Sequence, residues 1–289
     1  MLVVAGVSGQ VGSVVASELL ASGARVRVLV RDAQKGAGWA ARGAEVAVGS
    51  LDDRASLGAA LDGARGFFTL LPPDFRAADF FAAQQRIIDA VAGAVKVSGV
   101  PHVVLLSSTG AHLASGTGPM KGLYQLEEAL RATGTRLTAL RSGALQENLG
   151  QSIGPAMQAG IFPSFIPADA PVPQVATKDL GQLAARALLS PVEDGEVVDV
   201  LGPAYSNRQL AEKLGQALGR SLKVVEVPRE RWVGTLRESG FSQPLAELFA
   251  EMYDALGRGI VVPKGDRVVR GTTTVDETLR TLLQAHPSR

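Results

Sequence analysis

"AGVSGQVG", residues 5–12, is the stretch on which the fold turns. It joins a short apolar run, "LVVAG" (2–6), to "QVGSVVASELLASG" (10–23), whose apolar residues recur at helical spacing up to a glycine stop. Gly6, Gly9 and Gly12 therefore lie where a first strand becomes a first helix. The first glycine permits a tight turn and the second lets a pyrophosphate approach the backbone. The third lets helix pack against strand, and the free N–H groups at the helix start then face the anion. Among 33 glycines the spacing alone means little, but its place between strand and helix gives it weight. The competing reading is a turn that needs glycine for packing only.

Working outward, strand-like and helical runs alternate. "RVRVLV" (25–30), "AEVAVGS" (44–50), "GFFTLLPP" (66–73), "HVVLLSS" (102–108) and "TRLTALR" (135–141) are strands, separated by helical stretches such as 76–99. Repeated alternation argues for right-handed βαβ crossovers, and near-continuous apolar rows such as "VVLL" suit strands covered on both faces. Residues 1–150 are thus expected to form a doubly wound parallel sheet. Beyond 150 the pattern loosens: "AGIFPSFIPADAPVPQ" (159–174) holds four prolines and reads as an irregular excursion. Residues 174–202, with a helix at 177–190 and a strand at 196–202, are expected to return to the first domain. The remainder of 151–289 makes a smaller, largely helical portion, with a helix at 207–219, a strand at 222–228 and helices within 229–258.

Composition narrows the chemistry. The 289 residues are 46% hydrophobic, 20% charged and only 5% aromatic, with net charge +1. No basic face for nucleic acid is evident. The absence of cysteine excludes disulfides, thiolate metal sites and cysteine nucleophiles. His102, His112 and His286 are dispersed, which speaks against a metal centre. No apolar run reaches the ~18 residues of a membrane span and no basic n-region precedes "MLVVAGVSGQ", so the protein is expected to be cytoplasmic.

The end of the second strand selects the nucleotide. An acidic side chain there would bond a ribose 2′-OH, whereas arginine accommodates a 2′-phosphate. Arg31 directly follows "RVRVLV", with Asp32 turned toward the next helix and Lys35 as a second cation, so NADP(H) is expected over NAD(H). After the third strand, Asp52 or Asp53 either accepts from the adenine amino group or caps the helix "RASLGAAL"; one residue can do each. Leu71 and Pro72, within "LLPP", should lie alongside the cofactor, with Ser107 and Ser108 in the same crevice.

"GVSGQVG", "VLVRD", "GSLDDRASL", "GVPHVVLLSSTGAH", "LRSGALQEN", "QVATKDLGQLAARAL" and "LAEKLGQALGRSLKVVEVPRERW" occur in an order and spacing that resemble the NmrA-like branch of the atypical short-chain dehydrogenase/reductases, over nearly the whole chain. The resemblance implies a Rossmann domain with a smaller, mostly helical substrate domain. It also implies NADP(H) at Gly6, Ser8, Gly9, Gln10, Val11, Gly12 and Arg31. By the same analogy, Leu145, Gln146 and Asn148 line a substrate pocket closed by Phe162 and Phe165. Some such proteins reduce quinones, azo dyes or other small unsaturated molecules; others bind the dinucleotide and report redox state to a protein partner. A small apolar acceptor and a monomer or homodimer are expected.

Short-chain dehydrogenases generally pair a proton-donating tyrosine with a lysine one helical turn later, because a nearby cation favours phenolate. Here "KGLYQLEEAL" (121–130) places Glu128 four residues after Tyr124, and Glu127 beside it. Lys121 is three residues earlier, but Gly122 casts doubt on whether the helix has begun there. Tyr124 is therefore expected to be a pocket wall or weak donor, with plain helix packing as the alternative. Direct hydride transfer to an electron-poor acceptor such as a quinone needs no tuned tyrosine, only positioning.

Overall fold

The structure, a computed structural model, describes residues 1–285, so His286 lies outside the described residues. β1 (Leu2–Val4) leads through the glycine turn into α1 (Gln10–Ala21), then β2 (Val26–Val30), α2 (Ala33–Ala40), β3 (Glu45–Val48) and α3 (Arg54–Leu61). β4 (Gly66–Leu70), α4 (Phe80–Ser98), β5 (His102–Ser108), α5 (Lys121–Arg131) and β6 (Arg136–Ser142) follow. Next come β7 (Ala144–Leu145), α6 (Gly150–Ala159), β8 (Ile161–Ser164), β9 (Val172–Val175), α7 (Thr177–Leu189) and β10 (Glu196–Leu201). The last elements are β11 (Ala204–Tyr205), α8 (Asn207–Leu218), β12 (Lys223–Glu226), α9 (Trp232–Glu238), α10 (Gln243–Gly257), β13 (Arg267–Arg270) and α11 (Val275–Ala285).

Eight strands form one sheet in the order β13-β10-β6-β5-β4-β1-β2-β3, and every pairing is parallel. The chain walks from β1 to β3 in one direction, then crosses back over β1 to lay down β4. This reversal leaves a switch point beyond the carboxyl ends of β1 and β4, where open α/β sheets take their ligands. Alternation explains the double coat: Val4, Val28, Phe68, Val104 and Leu140 face α1 and α7, meeting Val15, Leu19 and Leu180. Their neighbours Val3, Phe67, Val103 and Leu105 face α3, α4 and α5, meeting Leu57, Val91 and Leu126. A third core joins α6, β8, α8 and α11 through Phe162, Leu210, Leu214 and Leu279.

Three features differ from the sequence reading. The proline-rich stretch is not wholly irregular: β8 pairs with β12, and β9 lies between β11 and β7. Sheets this small tolerate Pro163 and Pro173, because a missing N–H interrupts few ladder bonds. Residues 267–270 join the large sheet as edge strand β13, beyond the segment 174–202 expected to return to it; "RVVR" is too short and charged to advertise a strand. Finally, α5 already includes Lys121, preceded by a 3-10 turn at Gly118–Met120. Gly122 lets α5 close onto α4, since a Cβ there would strike the Gln84 side chain. Among the described residues no helix is long and apolar enough to cross a membrane.

His102 opens β5 fully buried, its Nε2 3.0 Å from Thr138 Oγ1. Burial, and then the charge of Arg136, depress its pKa from 6.5 to about 4. Between those values the unfolded chain binds a proton that the folded chain refuses. Stability should therefore fall as pH drops from 6.5 toward 4, by up to about 1.4 kcal/mol per pH unit from this group. Urea midpoints across that range should flatten in His102→Asn.

Candidate functional site: a glycine-lined crevice at the switch point

The turn after β1 is built around contacts that only glycine allows. Gly6 has φ +69°, and a Cβ there would lie 2.7 Å from the Leu70 side chain. At Gly12 a Cβ would collide with the carbonyl oxygens of Gly6 and Ala5, the latter at 2.7 Å, so α1 rests flush on the strand end. Gly9 stands at the N-cap in extended conformation, without a side-chain cap, and the first turn holds no acidic residue. In contrast, α2, α3, α4, α8 and α10 are closed by Asp32, Asp53, Asp79, Ser206 and Ser242. The N–H groups that begin α1 have no intrahelical acceptor, and the helix dipole adds positive character. Ser8, Gly9 and Gln10 are exposed beside them, while Val11 is buried. This cradle fits a pyrophosphate: it is open, unclaimed by any side chain among the described residues and shaped by the lack of Cβ atoms.

Arg31 is exposed directly after β2, as is Lys35 in the first turn of α2. Neither forms a salt bridge among the described residues. Asp32 is engaged locally, accepting from Gln34 N at 2.9 Å. Of the acidic pair after β3, Asp53 caps α3 through Ala55 N, and Asp52 remains exposed, accepting from Ser50 Oγ. Leu71 is buried against the sheet and Pro72 half-buried, at the carboxyl end of β4.

The floor beyond β5 and β6 holds a group that the sequence reading undervalued. Glu127 is fully buried, with Oε1 accepting from Ser107 Oγ at 2.6 Å and from Arg141 Nε at 3.0 Å. Its Oε2 accepts from Arg141 Nη2 at 2.7 Å and Arg131 Nη2 at 2.9 Å. The Ser107 proton is thereby committed. Ser108 donates instead to Thr109 O. A signal was available: Glu127 lies on the same helical stripe as Leu123, Leu126 and Leu130, which pack inward. Tyr124 is half-buried, one turn before Glu127. Glu128 turns outward and is neutralised by Arg131 at 2.6 Å, so it does not face the phenol as a bare charge. Lys121 Nζ sits 5.1 Å from the Phe81 ring centre.

"LRSGALQEN" proves to be a joint rather than a row of pocket residues. Gln146 has no exposed surface: it donates to Gln174 O and Thr273 O and accepts from Thr278 Oγ1, tying together three distant segments. Glu147 caps α7 from outside, accepting from Thr177 N and Oγ1. Phe162 is likewise corrected, since it is buried in the third core. Leu145 is half-buried and Asn148 exposed. Phe165 stacks on Tyr253 of α10, ring centres 4.7 Å apart. That helix lies directly on the turn leading into α5: a Cβ on Gly118 would overlap Leu248 O. Burial pushes the Tyr253 phenol up, keeping it neutral. No group of three His, Cys, Asp or Glu side chains among the described residues is placed to hold a metal.

Sheet, switch point and open glycine turn define a doubly wound Rossmann protein with a built anion cradle. More specifically, the NmrA-like family model matches residues 1–277, and the chain belongs to that family. It is 27% identical over 290 residues to an NAD(P)H azoreductase of Xenophilus azovorans, covering 99% of this chain and 98% of that protein. Its fold matches the triphenylmethane reductase of Citrobacter sp. complexed with NADP(H) at TM-score 0.80 and 22% identity, covering 98% and 100% of the two chains. It also matches an NADPH-dependent quinone oxidoreductase of Escherichia coli complexed with NADPH at TM-score 0.81 and 22% identity, again over 98% and 100%.

Proposed function

We propose that this protein is an NADPH-dependent reductase that delivers hydride to a small, flat, electron-poor acceptor of quinone or azo type. The observation that carries this is the uncapped, acid-free N-terminus of α1, resting flush on β1 through Gly12. The names of its azo-, dye- and quinone-reducing relatives support the acceptor class. The α1 N-terminus would hold the pyrophosphate, Arg31 and Lys35 the 2′-phosphate, and Asp52 the adenine edge. Bound NADPH supplies the hydride. With the Ser107 proton taken by Glu127 and no lysine after Tyr124, the accompanying proton comes from water or weakly from Tyr124. The protein's contribution is then chiefly positioning and exclusion of bulk water.

Anaerobic loss of NADPH absorbance with a panel of quinones and azo dyes tests the reading. An absence of turnover at high enzyme concentration overturns it in favour of a dinucleotide-sensing protein. Arg31→Ala should weaken NADPH binding by about 10- to 100-fold and leave NADH unchanged, as expected for a lost charged hydrogen bond. Calorimetry with both nucleotides checks this. Tyr124→Phe should keep most of the activity. A loss above about 100-fold would instead make its hydroxyl a true general acid.

A further inference from the structure

Aromatic residues are only 5% of the chain, yet more than half of them form one connected array. It begins at Phe75, three residues beyond Pro72 on the segment that leaves β4. The Phe75 ring is stacked on Phe80 (6.3 Å, 7°), lies edge-on to Phe249 of α10 (5.7 Å, 69°) and is tilted against Phe241 (6.1 Å, 49°). From Phe249 the contacts run through Tyr253 to Phe165. One end of the array thus hangs from the switch point. Phe249 and Tyr253 lie on α10, the helix that covers the turn before α5, so the rings join the segment leaving β4 to that helix.

The hydrogen bonds of the segment show how Phe75 is held. Arg76 N and Ala77 N bond back to Asp74, and Asp79 accepts from Ala82 N and Ala83 N in the first turn of α4. Among the described residues, no hydrogen bond ties residues 72–79 to α9 or α10, and the Phe75 ring packs on Phe241 and Phe249. Phe75 nevertheless keeps 46% of its surface exposed. The cavity beneath, between Asp74–Phe80 and Ser242–Leu245, holds about 10 Å³, too small for any acceptor. A flat ring can enter only where a protein ring now sits, and exchanging ring for ring retains the stacking.

Building on the reductase reading, we infer that Phe75 is the exchangeable rung of an acceptor-selecting wall whose fixed faces are Phe80, Phe241 and Phe249. The wall selects planar acceptors with two or more fused or conjugated rings, because such a molecule reaches the hydride donor with one ring while the other takes the position of Phe75.

The test compares menadione, with two fused rings, and benzoquinone, with one. Phe249→Leu keeps apolar bulk but loses the flat face, and should raise the KM for menadione by about tenfold or more, several ring contacts being lost. The KM for benzoquinone and the affinity for NADPH should change by less than about threefold, within one such contact. Independently of turnover, menadione added to the NADP⁺-loaded protein should quench Trp232, which lies 6.2 Å from Tyr253, and this quenching should vanish in Trp232→Phe. If quenching occurs and weakens in Phe249→Leu while no acceptor is reduced, the wall stands and the reductase reading fails. If reduction occurs but the ratio of the two KM values stays unchanged in both Phe249→Leu and Phe75→Leu, the wall is refuted alone.

Discussion

Gly9→Asp should abolish NADPH binding while leaving the folded protein intact. The new carboxylate would occupy the N-cap of α1, where the backbone is already extended (φ −98°, ψ 175°) and aspartate is a favoured cap. A Cβ there approaches only Gly6 O, at 3.3 Å, and exchanging glycine for aspartate at an N-cap changes stability by a few tenths of a kcal/mol. The same carboxylate would confront the pyrophosphate. At about 4 Å and an effective dielectric near 20, each pair of like charges costs about 4 kcal/mol, so affinity should fall by more than about 100-fold. Calorimetry and urea denaturation separate the two effects. Gly9→Asn, similar in size but uncharged, should retain clearly more binding. Equal losses in the two variants would mean that bulk, and not anion recognition, governs the turn.

Glu127→Ala should be among the most destabilising single changes available. It removes a fully buried carboxylate and leaves the Arg141 guanidinium, itself 5% exposed, without its bidentate partner. An unpaired buried charge costs about 3–5 kcal/mol, equivalent to a fall in melting temperature of about 10 °C for a chain of this size. Glu128→Ala, one residue away, removes an exposed pair and should change stability by less than about 1 kcal/mol. Replacing both buried partners, as Glu127→Leu with Arg141→Met, should recover much of the loss, because a buried ion pair gains little over packed apolar groups. If Glu127→Ala unfolds at the wild-type midpoint, the network is not what holds α5 to β5 and β6.

The crevice was legible in the sequence, and its contents were legible only in part. The glycine turn follows from a rule acting over a few residues, as does the turning of Asp32 toward α2, whereas the choice of Asp53 over Asp52 as the cap of α3 came from the structure. Gln146 and Phe162 went wrong for one shared reason. Whether a side chain lines a pocket or fills a joint depends on what arrives from elsewhere. Gln146 bonds Thr278, 132 residues away, and Phe162 packs against α8 and α11. The place of α10 against the turn before α5 had no local signature, since its apolar face suits any partner.

By itself, the sequence determined the alternation of strand and helix, the two buried faces of the sheet and an α1 left open to an anion. Side-chain period and backbone capping encode these within a turn or a strand. Tertiary structure alone decided that β13 closes the sheet beyond β10, that Glu127 holds Ser107 and Arg141, and that the scarce aromatic rings gather between the segment leaving β4 and α10. Each of these is a choice of partner between segments far apart in the chain. A buried charge or ring declares by its pattern that it needs a partner, and only the folded chain shows which one it has.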